Sequence, residues 1–289
     1  ALTSTVAGSI NLNADTATFA ANSALSGLVA TAGGTLVNPD DALAHFKAQF
    51  LKDLAGVYVL DGGDEEFIAI RFNDDGSYIM GEVGAPDDAG QSGIERGAIN
   101  WNPATGEITA TVTLDTNGEW GLSHIINERL FLSLNGKNLV IREDFDDESL
   151  EDQITEFPRL EQSTGIVGTW ALTRTEDADV NLGVQQFIFL ANGKYLMIDP
   201  VGDDDYAEPD DPKCGDAGLE YGHYSFALGV LTASGILTDT NDCAGLRDSD
   251  TDDYAVFSGV TLDNTAGTLT DESGELDLVR IRTQVPNET

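Results

Sequence analysis

One acidic loop spaces its carboxylates as calcium-binding loops often do. Asp248, Asp250 and Asp252 alternate with other residues, and carboxylate oxygens are the ligands that calcium prefers. The loop is not an EF-hand, because its sixth position holds Asp253 in place of glycine and its twelfth holds Gly259 in place of glutamate. Two interpretations stay open, a calcium site or a solvated run of charges. Calcium is the one cofactor that the sequence suggests.

The residue types needed for catalysis do not form a recognisable set. His45 belongs to a predicted helix, and His124 and His223 fall at different places in the repeat described below, so we expect all three at surface or capping positions. The chain contains no Gly-x-Ser-x-Gly motif, phosphate-binding glycine loop or His-Glu-x-x-His helix. Nothing singles out a pair of carboxylates for glycoside hydrolysis. We therefore expect a protein that is not an enzyme.

Two cysteines, Cys214 and Cys243, flank a predicted two-stranded hairpin. The ends of such a hairpin lie close together, so we expect a disulfide and an oxidising compartment. Zinc binding would need further ligands, and His223 is the candidate nearby.

The charge balance excludes several partners. The chain has 51 acidic and 14 basic residues, for a formal net charge of -37, and no basic cluster. Such a surface repels nucleic-acid phosphates and anionic lipid headgroups. No apolar stretch approaches the roughly 20 residues of a membrane-spanning helix. The small, uncharged first residues are typical of a chain whose signal peptide has been removed, so we expect a secreted protein, extracellular or at the cell surface.

An internal repeat organises the chain. Five anchors recur in the same order: Gly56–Tyr58 with Gly168–Trp170, Phe72–Met80 with Phe189–Met197, Gly93–Gly97 with Gly218–Gly222, Asp115–Asn117 with Asp239–Asn241, and Gly121–Leu122 with Gly245–Leu246. The repeat predicts three regions. Residues 1–37 form an extended segment rich in Ala, Ser, Thr and Gly, residues 38–162 a first barrel with a leading helix at 38–53, and residues 163–289 a second barrel.

The pattern within each copy predicts an all-β fold. Short segments alternate apolar and polar residues, and turn signals such as Asn135-Gly136 separate them. About eight sequential strands per copy favour an antiparallel up-and-down β-barrel, which pairs its own edges. A β-sandwich is the alternative.

A short helix is predicted before the first barrel. Asn38 can cap it, Pro39 suits its first turn, and Phe46 and Phe50 belong to an apolar stripe at helical spacing. We expect this helix to cover one end of the barrel, with docking to a partner as the alternative.

The N-terminal segment has a strand-like stretch outside both repeats. Ile10, Leu12 and Ala14 alternate with polar residues. The stretch is either a tether or local strand, or a strand donated to a neighbouring subunit through main-chain hydrogen bonds.

Gly168-Thr169-Trp170 resembles the Gly-x-Trp signature of lipocalin and calycin barrels, and Gly56-Val57-Tyr58 is similar to a degenerate copy of it. In that family an arginine from the last strand packs across the tryptophan at the closed barrel end. The resemblance implies this role for Arg280 or Arg282 at Trp170 and for Arg159 at Tyr58, since a guanidinium stacks well on an aromatic face. It also implies a barrel that can carry a small apolar ligand.

Two functions follow from these observations. The first is a non-enzymatic structural or adhesive protein that assembles with itself through its N-terminal strand. The alternative is a carrier that binds a small apolar ligand inside one or both barrels.

Overall fold

The structure is a computed structural model, which describes residues 30–32, 35–37, 39–124, 128–145, 153–161, 165–172, 185–201, 216–241, 245–246, 254–263, 266–270 and 275–281. The all-β prediction is confirmed, with two antiparallel sheets that curl into barrel-like shapes and a helix before the first. A short hairpin, β1 (Ala30–Ala32) with β2 (Thr35–Val37), precedes that helix. None of the helices in the described ranges is long and apolar enough to cross a membrane.

The first sheet is nearly closed, and its strands follow one another in sequence order. They are β3 (Gly56–Asp61), β4 (Phe67–Phe72), β5 (Ser77–Val83), β6 (Gly93–Trp101), β7 (Glu107–Asp115), β8 (Glu128–Asn135), β9 (Asn138–Phe145) and β10 (Gln153–Phe157). The chain after β10 returns to β3, where Leu160 N–H donates to Val57 O at 2.8 Å and Val59 N–H donates to Pro158 O at 3.0 Å. Strands β7 and β8 pair at only two positions, so a seam opens between them.

The second sheet repeats this order in a half-barrel. It contains β11 (Gly168–Leu172), β12 (Gln186–Phe189), β13 (Lys194–Asp199), β14 (Gly218–Ala227), β15 (Val230–Asp239), β16 (Tyr254–Phe257), β17 (Thr261–Leu262), β18 (Ala266–Thr270) and β19 (Glu275–Arg280). The last strand, β19, pairs with the first, β11, and the sheet is open between β16 and β17. The predicted boundary at residues 162–163 falls in the sequence between β10 and β11; the division into domains stays a prediction.

The helix, α1 (Pro39–Leu54), lies against one end of the first barrel. The ring of Phe50 stacks on that of Trp101, with centroids 3.8 Å apart, and Phe46 lies 5.7 Å from the same ring. Leu51 and Leu54 are buried beside them. The apolar stripe of the helix therefore continues the barrel core.

Side chains of the chain itself fill the interior of the first barrel. Those packed there include Tyr58, Ile70, Phe72, Tyr78, Met80, Ile99, Trp101, Ile108, Leu130, Leu132, Leu139, Ile141 and Phe157. Large aromatic rings from β3, β4, β5 and β6 meet in this core. Their burial supplies the main driving force for closing the sheet.

A second apolar cluster joins the outer faces of the two sheets. From the first sheet it contains Val57, Val59, Phe67, Ala69, Ile79, Val83 and Ile94, and from the second Ile188, Leu190, Leu196, Ile198, Leu219 and Tyr221. Phe67 stacks on Tyr221 with centroids 4.9 Å apart. Gly81 permits the close approach, since a Cβ at that position would lie 3.0 Å from Ile198. Strands β3, β4 and β5 of the first sheet and β12 and β13 of the second therefore pack against apolar clusters on both faces.

Polar contacts close the edge of this interface. Lys194 Nζ lies 3.0 Å from Asp61 Oδ1 and 3.1 Å from Asp64 Oδ1, and only 11% of the lysine side chain is exposed. Burial disfavours the charge, but the hydrogen bonds to Asp61 and Asp64 outweigh it and hold the pKa of Lys194 above its ordinary value. Tyr221 OH donates to Gly63 O at 2.9 Å. These bonds all join the β3–β4 turn to the second sheet.

The packing between the sheets predicts a large loss on truncation. Leu196 is fully buried in the interface cluster, whereas Leu228 is fully exposed. Leu196→Ala should lower the free energy of unfolding by about 2–5 kcal/mol because it leaves a cavity, and Leu228→Ala should change it by about 0.5 kcal/mol or less. Urea unfolding followed by fluorescence measures both, and equal losses would contradict the interface.

Candidate functional site

The structure brings each arginine implied by the family resemblance onto its aromatic ring. The guanidinium of Arg280 lies 4.1 Å from the ring centroid of Trp170 and donates to Val167 O at 2.9 Å and to Gly165 O. Trp170 Nε1 in turn donates to Ile166 O at 2.7 Å. Arg280 therefore ties the last strand of the second sheet to the turn that precedes its first strand.

The first sheet has the equivalent arrangement. Arg159 lies 5.0 Å from the ring centroid of Tyr58, donates to Tyr58 OH at 2.5 Å and reaches Ala55 O at 3.0 Å. Tyr58 OH donates to Leu54 O, the end of α1. Burial raises the pKa of Tyr58 to about 12, although Arg159 favours the ionised form. Gly56 and Gly168 begin β3 and β11, and Gly168 has a φ of 133°, in the region that favours glycine.

The remaining predicted site residues lie outside the described residues. These are the strand residues Ile10, Leu12 and Ala14, the cysteines Cys214 and Cys243, the calcium candidates Asp248, Asp250 and Asp252, and Arg282. The disulfide, the calcium site and the donated strand stay predictions.

A buried carboxylate, absent from the sequence predictions, lies inside the first barrel. Glu95, on β6, has 0% of its surface exposed. Its Oε1 accepts hydrogen bonds from Tyr78 OH at 2.6 Å and from Leu122 N–H at 2.9 Å. Its Oε2 accepts from Ser123 N–H at 3.2 Å and from the Ser123 hydroxyl. Four donors therefore satisfy a group that would be costly to bury without them.

Strand register places Tyr78 beside Glu95. Tyr78 on β5 is directly opposite Gly97 on β6, so Glu95 is its diagonal neighbour on the same face. Gly97 sits at a bulge, and a Cβ there would lie 2.3 Å from Thr111 O. Burial and then the bond to Glu95 raise the pKa of Tyr78 far above its ordinary value, so the phenol stays a hydrogen-bond donor.

The loop after β7 is shaped to reach this carboxylate. Asp115 Oδ1 accepts from Asn117 N–H at 3.1 Å and from Gly118 N–H at 3.2 Å, which forms the turn. Gly121 then has a φ of 105°, and a Cβ there would lie 2.7 Å from Glu95 Oε2. Glycine at this position lets the backbone deliver the Leu122 and Ser123 amides to the carboxylate.

The second sheet contains the same pair. Glu220 on β14 is also 0% exposed and accepts a hydrogen bond from Tyr195 OH. Tyr195 is opposite Gly222, so the register matches that of the first copy. Leu219 N–H donates to Thr240 Oγ1 at 2.9 Å, as Ile94 N–H donates to Thr116 Oγ1 at 2.9 Å. The recurring tyrosine and glutamate therefore form an equivalent buried pair in each copy.

In the first copy, further polar side chains lead from this carboxylate to the surface. Ser123 Oγ lies 3.1 Å from His124 Nδ1, which lies 3.3 Å from Asp115 Oδ2. The side chains of His124 and Asp115 are 37% and 20% exposed. Glu95, Asp115 and His124 each offer one ligand atom, and these atoms all lie within 4.8 Å of one another.

A second carboxylate adjoins the site. Asn117 Nδ2 donates to Glu82 Oε2 at 3.3 Å. Burial, reinforced by the nearby charges of Glu95 and Glu66, raises the pKa of Glu82 to about 7, although the Asn117 bond favours ionisation. The corresponding residue of the second copy, Asp199, accepts from Gln185 Nε2 at 3.3 Å.

The sequence contains a signal for this site. Glu95 and Glu220 occupy equivalent positions in two predicted strands, next to apolar residues and glycines. A carboxylate repeated at an inward position of a strand has to be satisfied by a repeated donor. The recurrence of Tyr78 and Tyr195 supplies that donor.

Comparison with known proteins assigns no family. Neither the protein-family models nor the curated proteins include a match to this chain. Among solved structures, the computationally designed Ika8 protein is 10% identical with a TM-score of 0.13, over 79% of this chain and 97% of that chain. BamB from Moraxella catarrhalis is 11% identical with a TM-score of 0.13, over 77% and 71%. The DNA polymerase III subunit beta from Pseudomonas aeruginosa is 7% identical with a TM-score of 0.12, over 86% and 64%. Scores this low carry no argument, so the fold assignment depends on the strand pairing of this chain.

The carboxylate–tyrosine pair predicts unequal effects of removing two phenols. Tyr78→Phe takes a donor from the buried Glu95 carboxylate and should lower the free energy of unfolding by about 2–3 kcal/mol. Tyr224 OH donates to a neutral acceptor, Leu190 O, at 2.6 Å in a half-buried position, so Tyr224→Phe should cost about 1 kcal/mol. Denaturant unfolding of both variants checks this, and an equal loss would argue against a charged acceptor.

The raised pKa of Glu82 predicts a pH effect on stability. The folded protein binds this proton more tightly than the unfolded chain, so its contribution is fully present below about pH 4.5 and is lost as pH rises to about 7. Glu82→Gln should remove this dependence and raise stability at pH 8 relative to pH 4.5 by up to about 3 kcal/mol. Urea midpoints across this range measure it. Glu65→Gln, at an exposed carboxylate, is the control and should leave the slope unchanged.

Proposed function

We propose that the protein is a non-enzymatic structural or adhesive protein, extracellular or at the cell surface, that assembles with itself through its N-terminal segment. The observation that best supports this is the interface between the sheets, where one apolar cluster and the Lys194–Asp61–Asp64 contacts join both copies. Domains joined by a small polar interface move against each other by default. A large apolar interface instead favours a stiff double unit, which suits a mechanical or display role.

The surface charge supports assembly through a defined segment. A net charge of -37 makes copies of the protein repel one another over most of their surfaces. The stretch around Ile10, Leu12 and Ala14 carries few charges and alternates apolar with polar residues. Main-chain hydrogen bonds to a strand edge would let it bind another copy despite the repulsion.

The first barrel offers a strand edge for this purpose. Strands β7 and β8 pair only through Glu107–Phe131 and Ile108–Leu130. In the part of the chain that the structure describes, β7 from Thr109 to Asp115 therefore has a paired neighbour on one side only, β6. Thr109, Thr111 and Thr113 along it are exposed. An edge of this kind is a template for an added strand.

The carrier function has less support. The interior of the first barrel is occupied by its own large side chains, and α1 covers one end with Phe46 and Phe50 against Trp101. An eight-stranded barrel is just wide enough to be filled in this way. The proposal includes a lipocalin-like barrel fold but no carrier role. The stacking of Arg280 on Trp170 and of Arg159 on Tyr58 supports this fold.

Truncation tests the proposed assembly. Full-length protein should increase in mass with concentration in sedimentation experiments, and a variant lacking residues 1–29 should stay monomeric. Ile10→Asp with Leu12→Asp should abolish assembly, because both charges fall on the apolar side of the alternating stretch. Asn11→Asp with Asn13→Asp adds the same charge to the other side and should weaken assembly far less. A full-length protein that stays monomeric at all concentrations would refute the proposal.

A further inference from the structure

We propose that Glu95, Asp115 and His124 form a binding site for a first-row divalent metal ion of the zinc class. The three side chains come from β6, the end of β7 and the loop that follows it, so the ion would link three separate segments. This site differs in place and in ligand type from the calcium loop predicted at residues 248–252.

The spacing of the ligand atoms suits a small ion. Zinc binds nitrogen and oxygen ligands at about 2.0–2.2 Å, so two ligands in a tetrahedral site are about 3.4 Å apart. His124 Nδ1 and Asp115 Oδ2 are 3.3 Å apart, and the Glu95 oxygen lies within 4.8 Å of both. The first two atoms already have the spacing of a tetrahedral site, and the Glu95 side chain would have to move closer to complete the set.

Ser123 holds these groups together in the absence of an ion. Its Oγ lies within hydrogen-bond distance of both Glu95 Oε2 and His124 Nδ1, between two of the ligand atoms. A hydroxyl rotates easily and can release the carboxylate oxygen. Glu95 would keep the Tyr78 and Leu122 bonds on its other oxygen, Oε1, when Oε2 binds the metal.

The ligand set selects the class of metal. Calcium and magnesium take oxygen ligands, and an imidazole favours zinc and its first-row neighbours. Three protein ligands leave a coordination position for water, as in open zinc sites. The ion also offsets the charges of Glu95, Asp115 and the adjoining Glu82, in a protein whose overall charge attracts cations.

Binding should stabilise the end of the first barrel. The ion would join β6 and β7 to the loop that supplies the Leu122 and Ser123 amides to Glu95. A ligand that binds only the folded state raises stability in proportion to the logarithm of its concentration over Kd. Zinc should therefore raise the melting temperature of the intact protein.

Isothermal titration of the full chain with zinc chloride tests the site. The wild-type protein should show a binding event that His124→Ala and Asp115→Asn each weaken by about tenfold or more, or about 1.4 kcal/mol. Asn at position 115 retains the oxygen that accepts from Asn117 and Gly118, so the turn is preserved. Calcium chloride should not reproduce the event, and zinc should raise the melting temperature of the wild type more than that of His124→Ala.

His223→Ala is the matched control. His223 is 41% exposed and its Nε2 lies 3.7 Å from Asp64 Oδ1, so it is also a partly exposed histidine beside a carboxylate, but it has no third ligand in the described residues. This variant should bind zinc like the wild type. Equal zinc affinity in the wild type and His124→Ala, or equal losses in His124→Ala and His223→Ala, would overturn the proposal and leave only general attraction of cations to an acidic surface.

Discussion

A buried carboxylate in each copy needs hydrogen-bond donors, and most of the surrounding structure supplies or positions those donors. Glu95 and Glu220 are both 0% exposed, and a charge removed from water is tolerated only where protein donors replace its hydration. In the first copy the donors come from a tyrosine on the preceding strand and from the backbone of a loop about 27 residues further along the chain. The relative positions of β5, β6 and that loop are therefore fixed together.

This requirement explains which residues recur between the copies. The repeated segments supply the carboxylate, the phenol, the glycine opposite the phenol, and the threonine that bonds the strand beside the carboxylate. These positions are recognisable in the sequence because they recur in order. The pairing of Tyr78 with Glu95 is not, because that contact depends on the register of β5 against β6, and a slip of one residue would move the phenol to the other face.

The barrel shape was predictable from the sequence and the packing between the barrels was not. Alternating segments separated by turn residues indicate sequential antiparallel strands, and the structure has them in sequence order. Alternation does not say what covers the outer face. The run Gly56–Leu60 is apolar at nearly every position, which is typical of a strand buried on both sides. The contact of this face with Leu196 and Ile198 depends on how the second sheet folds back, which no local pattern encodes.

The family resemblance implied the contacts of Arg159 with Tyr58 and of Arg280 or Arg282 with Trp170, and such contacts have a chemical basis. A guanidinium near a strand end can stack on an aromatic ring and donate to carbonyls at once, so a motif that pairs these residue types carries information about contact. Arg280 and Arg159 both make such contacts. No comparable motif links Tyr78 to Glu95, so their contact follows only from the strand register.

The copies differ in the residues around the shared carboxylate. Glu82 of the first copy bonds Asn117, whereas the shorter Asp199 of the second is bonded by Gln185 and by the amide of Val201. Among the described residues no hydrogen-bond partner is found for the Asn241 side chain, which lies at the position of Asn117. Ser123-His124 of the first copy corresponds to Arg247-Asp248 of the second. The inner pair of carboxylate and phenol is kept because losing either partner would leave a buried polar group unsatisfied. His124 is exposed, so a change there leaves no buried polar group unsatisfied, and the fold tolerates new binding chemistry at this position.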